Sequence, residues 1–317
     1  MNIRLRKIAL AMLMAACATP AALAADAAKL VPITLPYEGW VSQMSDNGRW
    51  GVCQAPSNSE PDAVAYRIDI ATGKIEALPL NEEQADPKWG NICRCNDITD
   101  DGQTIVGEFN RYPAYFTGDS WHELPLLKGM SNWTGEVNAV TPDGKIMIGT
   151  MYKGAQQFQS MIWVDGKLEE LGKLPDYDEM HSLGIIDDSD LAEHKAKGDT
   201  PNIKFWQISS DGRYVLASAD HNYPAWGASR FVYDRQTKTY NWIHNDTMHG
   251  ETFVDESYMN NNGTVVAGGV RTYLNGHDAM IPFRYYPATK KLETEGQSAC
   301  YIIDNAGQAY NASGSAP

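Results

Sequence analysis

VNAVTPDGKIMIG, residues 137–149, runs from an apolar position through a Thr-Pro-Asp-Gly turn into a second apolar stretch. Five more stretches align on its glycine: VSQMSDNGRWGVC (41–53), CNDITDDGQTIVG (95–107), FWQISSDGRYVLA (205–217), ESYMNNNGTVVAG (256–268) and CYIIDNAGQAYNA (300–312). The anchors are Gly48, Gly102, Gly144, Gly212, Gly263 and Gly307, separated by 54, 42, 68, 51 and 44 residues. Recurrence on this scale marks a repeat architecture, in which one supersecondary unit is copied along the chain.

Four residues before each glycine stands an apolar side chain: Met44, Ile98, Val140, Ile208, Met259 and Ile303. This is the expected buried position of a first strand. The Asp-Gly or Asn-Gly pair suits the positive φ of a tight hairpin turn. Five residues after the glycine the side chain is small in all six copies: Cys53, Gly107, Gly149, Ala217, Gly268 and Ala312. A strand position that accepts only small residues implies the close approach of another backbone.

The second half of the unit recurs as well. Met161-Ile162-Trp163-Val164 leads through Asp165-Gly166-Lys167 to Leu168, and Phe231-Val232-Tyr233-Asp234 leads through Gln236-Thr237-Lys238 to Tyr240. Each unit therefore offers four short strands joined by turns, which is one propeller blade. The predicted fold is all-β: a β-propeller of about six four-stranded blades, with a β-helix or sandwich as the alternative. LVPITLP (30–36) has no strands before it and reads as an outer strand donated to the last blade, which otherwise lacks one.

Thr141-Pro142-Asp143-Gly144-Lys145 and Ser209-Ser210-Asp211-Gly212-Arg213 resemble the turn of TolB-type propeller repeats. The fuller unit, from Met161-Ile162-Trp163 to Leu171-Gly172-Lys173-Leu174, is similar to the HAF-family extracellular repeat. Where that family carries His-Ala-Phe, this chain has Pro113-Ala114-Tyr115 and Ser160-Met161-Ile162. The resemblance implies an exported, propeller-like protein and no shared catalytic set.

The N-terminus reads as a signal peptide over 1–24: Arg4, Arg6 and Lys7, an apolar run from Ile8 to Cys17, and a cleavage site at Ala22-Leu23-Ala24. A retained anchor and lipidation at Cys17 are the alternatives. Residues 25–317 form one expected propeller domain, secreted, periplasmic or displayed at the cell surface, with no transmembrane segment. Without the three basic residues of the leader the formal net charge falls from −14 to −17. That charge excludes a nucleic-acid partner, which needs a basic footprint. Cys53, Cys93, Cys95 and Cys300 remain, and a bridge from Cys53 to Cys93 or Cys95 is one expectation. Their spacing supports no zinc site.

Strand order puts the first-to-second and third-to-fourth turns at one end of each blade. The other end receives the segments 54–63, 108–113, 150–160, 218–229 and 269–280, read as long loops, together with the links between blades. Binding residues concentrate on variable loops. The ligand-binding candidates there are Trp89, Arg111, Trp133, Asp220, His221, Tyr223 and Arg271. Aromatic planes beside charged groups suit a glycan, a peptide or a protein surface. An acidic insertion at 175–204 reads as a solvated lid, with a helix from Asp190 to Lys197 capped by Ser189 and ended by Gly198. Calcium on its carboxylates is the alternative. No nucleophile motif or phosphate loop appears. An exported binding protein is thus the first reading. A lyase- or hydrolase-type enzyme using His221 or His249 as base and Arg271 as anion stabiliser is the second. The third is a passenger module of a longer surface protein.

Overall fold

The computed structural model describes residues 40–54, 65–78, 93–154, 157–221, 227–244, 253–274, 277–294, 302–303 and 309–310. The donated-strand segment 30–36 and the signal region lie outside them. The chain is mostly β and divides into two compact units, residues 1–155 with 160–169, and residues 156–159 with 170–317.

In the first unit, sheet one is β1 (Trp40–Met44), β2 (Trp50–Gln54), β3 (Ala65–Asp69) and β4 (Lys74–Ala77). Sheet two is β5 (Cys93–Ile98), β6 (Ile105–Phe109), β7 (Tyr112–Thr117) and β8 (Ser120–Glu123). Sheet three is β9 (Thr134–Val140), β10 (Ile146–Lys153), β11 (Gln157–Val164) and β12 (Lys167–Leu168). The second unit holds sheet four, β13 (Asn202–Ile208), β14 (Tyr214–His221), β15 (Gly227–Asp234) and β16 (Thr239–Trp242). Sheet five is β17 (Phe253–Met259), β18 (Val266–Leu274), β19 (His277–Tyr286) and β20 (Lys291–Glu293). The last repeat contributes β21 (Ile302–Ile303) paired with β22 (Ala309–Tyr310). In all five four-stranded sheets the strands lie side by side in chain order. The repeat read from the sequence is therefore an antiparallel meander.

The turn glycines are left-handed, with φ from 69° to 75° at Gly48, Gly102, Gly144, Gly212 and Gly263. The preceding Asp or Asn is not, so this is a longer turn than the two-residue hairpin expected. Its stability comes from a side-chain relay. In the third repeat Thr141 Oγ1 accepts from Ile146 N (3.1 Å) and donates to Asp143 Oδ1 (2.8 Å), which accepts from Lys145 N (3.1 Å). Ser45–Asn47, Thr99–Asp101 and Ser209–Asp211 repeat the pattern. Asn260 takes the hydroxyl's accepting role through Oδ1. These five first residues are all 4% exposed or less, so the backbone N–H groups they satisfy would otherwise be buried without partners.

Every one of these five first-to-second strand pairs carries a β-bulge. The extra residue is Ser42, Asn96, Asn138 or Trp206, six positions before the glycine, and Glu256, seven before it, in sheet five. A bulge swings the carbonyl of the first strand toward the second. This explains the small column: a Cβ on Gly107 would collide with the Arg94 carbonyl oxygen, and one on Gly149 with that of Glu136. Cys53 belongs to this column and is fully buried, and Cys93 and Cys95 are free thiols. The bridge expected from Cys53 to either is thus not made. Cys300 lies outside the described residues.

Successive sheets pack face to face within each unit. Val52, Cys93, Ile98, Phe116 and Trp121 fill the space between sheets one and two, and Val106, Val137, Met147, Met161 and Trp163 that between two and three. Tyr214, Leu216, Val232, Met259, Phe283 and Tyr285 do so between four and five. Backbone hydrogen bonds tie the turns across the same gaps: Asp100 N to Pro142 O and, one unit later, Ser210 N to Asn261 O. Beside them a side chain accepts from the next sheet's apolar-column N–H. Asp97 Oδ2 takes Val140 N at 2.9 Å, and Gln207 Oε1 takes Met259 N at 2.7 Å. The apolar column itself is buried at Ile98, Val140 and Met259 and half-buried at Met44 and Ile208.

Two outcomes follow from this packing. Gly73 and Gly102 have matching φ of +70° and +71°, but a Cβ meets nothing at Gly73 and the Trp50 ring at Gly102. Gly73→Ala should cost about 1–2 kcal/mol of left-handed strain, and Gly102→Ala clearly more, in urea unfolding of each variant. Burial pushes the Asp97 carboxyl up to about 8, against the opposing pull of its Val140 and Ile98 N–H bonds. The folded state therefore holds a proton that the unfolded chain releases near its ordinary value. The stability this contributes is complete at acid pH and is lost as pH rises toward 8. Unfolding at several pH values should show a slope between pH 5 and 8 that Asp97→Asn flattens.

Candidate functional site

In sheets two, three and five, the end away from the glycine turns is built differently from the sequence expectation. Segment 108–113 is a two-residue hairpin: β6 runs to Phe109, β7 starts at Tyr112, and Asn110 and Arg111 take φ of 50° and 72°. Most of 150–160 and 269–280 is strand, with Leu274 paired to His277. The reason is local: these segments alternate or carry β-branched residues, and the strands continue past the point where the core ends. Among the described candidates, Arg111 sits on a tight hairpin and Asp220, His221 and Arg271 on strands, while Trp133 lies in the link just before β9.

Arg111 occupies one such hairpin tip, where its carbonyl accepts from Gly135 N (2.7 Å). Trp133 is half-buried and packs against the cluster of Val106, Val137 and Trp163, so part of its ring area is taken by the core. Asp220 lies near the end of β14. Burial raises its carboxyl, and Arg230 and Lys204 oppose that rise. His221 and Arg271 stand on β14 and β18, with their side chains outside the described residues, as are Trp89, Tyr223 and His249 altogether.

Two groups of side chains gather at this end that the motif reading did not single out. In the first unit, Arg94 pairs with Glu108 (3.5 Å), Tyr152 Oη donates to Glu136 Oε1 (2.8 Å), and Asn96 Nδ2 donates to Glu136 Oε2 (3.0 Å). Burial is the main cause that raises the Glu108 carboxyl; Arg94 and Arg111 hold it down and Glu136 adds to the rise. Glu108 thus feels both a cation, Arg94, and a second carboxylate, Glu136. In the second unit, Trp206 is 38% exposed, with its Nε1 donating to Ser218 Oγ at 2.9 Å. Lys204 Nζ lies 4.1 Å and the Arg230 guanidinium 5.0 Å from its ring. Lys204, Ser218 and Arg230 are direct cross-strand neighbours, which explains why they meet. The legible signal was the repeat itself. Trp206 is the bulge residue, in a column that holds Ser42, Asn96 and Asn138 elsewhere.

The acidic insertion is a docked helical pair. Helix α1 (Tyr177–Ser182) is capped by Asp176, and α2 (Asp188–Lys197) by Asp187, not Ser189, starting two residues earlier than expected. Gly198 ends it with φ 66°, as read. The carboxylates are engaged locally. Asp176 accepts from Glu179 N and pairs with Lys173, Asp178 pairs with Lys195, and His181 meets Asp188 at 2.7 Å. Glu179 accepts from the Tyr240 hydroxyl and from Trp242 Nε1 (3.1 Å), fastening α1 to β16. His194, 2% exposed, stacks on Tyr177 with centroids 3.7 Å apart and holds Asp199 at 3.0 Å. Helix α1 is thus docked on β16, while most of α2 is exposed, with Asp178 and Asp188 largely in solvent. Among the described residues no group of three His, Cys, Asp or Glu is placed to hold a metal ion.

No protein-family model and no curated protein matches the chain. Solved structures similar to it include TolB from Acinetobacter baumannii, at 15% identity over 78% of this chain and 52% of that one, TM-score 0.45. The β-propeller domain of the trilobed protease from Pyrococcus furiosus is 12% identical over 82% and 69%, TM-score 0.46. An oligogalacturonate lyase in complex with manganese is 9% identical over 86% and 67%, TM-score 0.48. The chain spans about half the length of the Acinetobacter TolB. Likenesses at this level do not bear on what the chain binds. No helix among the described residues is long and apolar enough to cross a membrane.

Glu179→Ala should free α1 from β16. Limited proteolysis is expected to cut within 175–204 several times faster in this variant, with the sheets left intact by circular dichroism.

Proposed function

We propose that the chain is an exported β-propeller of about six blades that binds a glycan, peptide or protein at the end of its sheets away from the glycine turns. The observation that carries this reading is the contrast between the two ends. At the turn end, Ser, Thr, Asp and Asn side chains are used up in satisfying backbone N–H groups. At the other end an exposed indole is held by Ser218 with two cations, Lys204 and Arg230, over its ring, and Asp220 feels both of them. An indole fixed by its own hydrogen bond loses little side-chain entropy when a ligand covers it, and the cations orient a polar or anionic partner. Arg111 and Trp133, at that end of sheets two and three, and Asp220, at that end of sheet four, are retained as candidates in the proposal, together with Trp89, His221, Tyr223 and Arg271.

Glu108 favours a second reading, a hydrolase- or lyase-type reaction at the same end. Its raised carboxyl beside Glu136 has the character of a general acid.

The experiment is calorimetric titration of residues 25–317 with acidic and neutral oligosaccharides and with peptides, repeated on Trp206→Ala and Glu108→Gln. Trp206→Ala should weaken binding at least tenfold and leave the melting temperature within a few degrees. Binding unchanged by that substitution would remove the indole from the site. Turnover of any bound sugar or peptide, lost in Glu108→Gln while affinity is kept, would replace the binding reading with the enzyme.

A further inference from the structure

The hairpin tip between β6 and β7 holds a backbone conformation that its residues do not favour. Phe109 pairs with Tyr112, and the two residues between them, Asn110 and Arg111, have φ of 50° and 72°. The β11–β12 hairpin, at the glycine-turn end of its sheet, has nearly the same φ values, 48° at Asp165 and 73° at Gly166. A two-residue turn with both φ values positive selects Asn or Asp first and glycine second. Arg111 stands where the glycine belongs. Lys238 and Lys290 also take left-handed φ, each alone, but 110–111 is the one place among the described residues where two consecutive non-glycine residues do. Strain of this kind persists where the surroundings fix it, and it concentrates at functional positions.

The surroundings fix it here through the backbone. The Arg111 carbonyl accepts from Gly135 N at 2.7 Å, and next to it Tyr112 Oη donates to Ser131 O at 3.2 Å. A glycine at 111 would keep both contacts and relieve the strain, so the side chain needs a reason of its own. Its charge acts on the Glu108 carboxyl, but Arg94, paired with Glu108 at 3.5 Å, acts on it more strongly. We propose that Arg111 is a specificity residue, held at the hairpin tip to recognise a carboxylate of the ligand. This deepens the binding reading above and rests on it. A guanidinium is always charged, and its parallel N–H groups match the two oxygens of a carboxylate. Uronic acid units of a glycan and Asp or Glu side chains of a peptide present that same group.

The test compares residues 25–317 with the Arg111→Gly and Arg111→Lys variants. Arg111→Gly should raise the melting temperature by about 1–3 °C, the relieved strain outweighing the added freedom of the unfolded chain. A lower melting temperature would make Arg111 a structural residue and overturn the proposal. Arg111→Lys keeps charge and strain and should melt with the parent. Calorimetric titration then sets a glutamate hexamer against a glutamine hexamer, and a uronic acid hexamer against a glucose hexamer. The parent should prefer the acidic member of one pair at least tenfold, and that pair names the source of the carboxylate. Arg111→Gly should abolish the preference and Arg111→Lys reduce it several-fold. A preference that survives in Arg111→Gly would overturn the role of Arg111 and leave the binding reading standing. Equal affinity of the parent for acidic and neutral members would overturn the carboxylate. No binding of any of the four would overturn the binding reading and this inference with it.

Discussion

A buried hydroxyl or amide three residues before each turn glycine is the constraint on which the rest of the structure depends. Ser45, Thr99, Thr141, Ser209 and Asn260 each accept from the backbone N–H two residues past the glycine, which no strand partner reaches. With that N–H satisfied, the turn can be buried against its neighbour. The turns then stack, Asp100 N on Pro142 O and Ser210 N on Asn261 O, and sheets pack face to face behind them. A turn of the two-residue hairpin kind would place no side chain inward to do this. The Asp or Asn before the glycine is selected as an acceptor within the relay, not for a positive φ of its own.

A rigid turn end leaves the opposite end free to vary. The bulge in each first-to-second strand pair displaces one residue out of the ladder, and its side chain becomes available for other contacts. Ser42 and Asn96 spend theirs on the backbone of the next sheet, at Cys95 O (2.9 Å) and Val137 O (2.8 Å). Asn138 and Trp206 instead reach across their own sheet to Thr150 (3.0 Å) and Ser218 (2.9 Å). One backbone device therefore supplies structural staples in two repeats and an exposed aromatic in another. The charged residues Arg94, Glu136 and Lys204 stand two positions earlier on the same strands, which is why they cluster with the bulge residues.

The same economy governs the insertion and the cysteines. An acidic stretch of chain becomes two short helices because Asp176 and Asp187 cap them, and it docks because Glu179 finds two donors on β16. Cys53 fills a column that tolerates only small side chains. Cys93 and Cys95 are buried against the core, and burial and the neighbouring thiol both push the Cys93 thiol upward, away from the reactive thiolate.

The sequence by itself determined the strand-turn-strand repeat, its register on the glycines, the small column and the helix end at Gly198. Each of these is a local requirement of backbone geometry, so it leaves a mark at a constant spacing. Only the tertiary structure decided what the polar residues do. Whether Trp206 is packed or exposed, whether Glu108 meets Arg94 or Glu136, and whether Glu179 faces solvent or β16 depends on neighbours from other strands and sheets. The unpaired hydroxyl of Tyr285 belongs to the same class: as sequence it is one aromatic in a strand, and only the packing of sheet five on sheet four buries it.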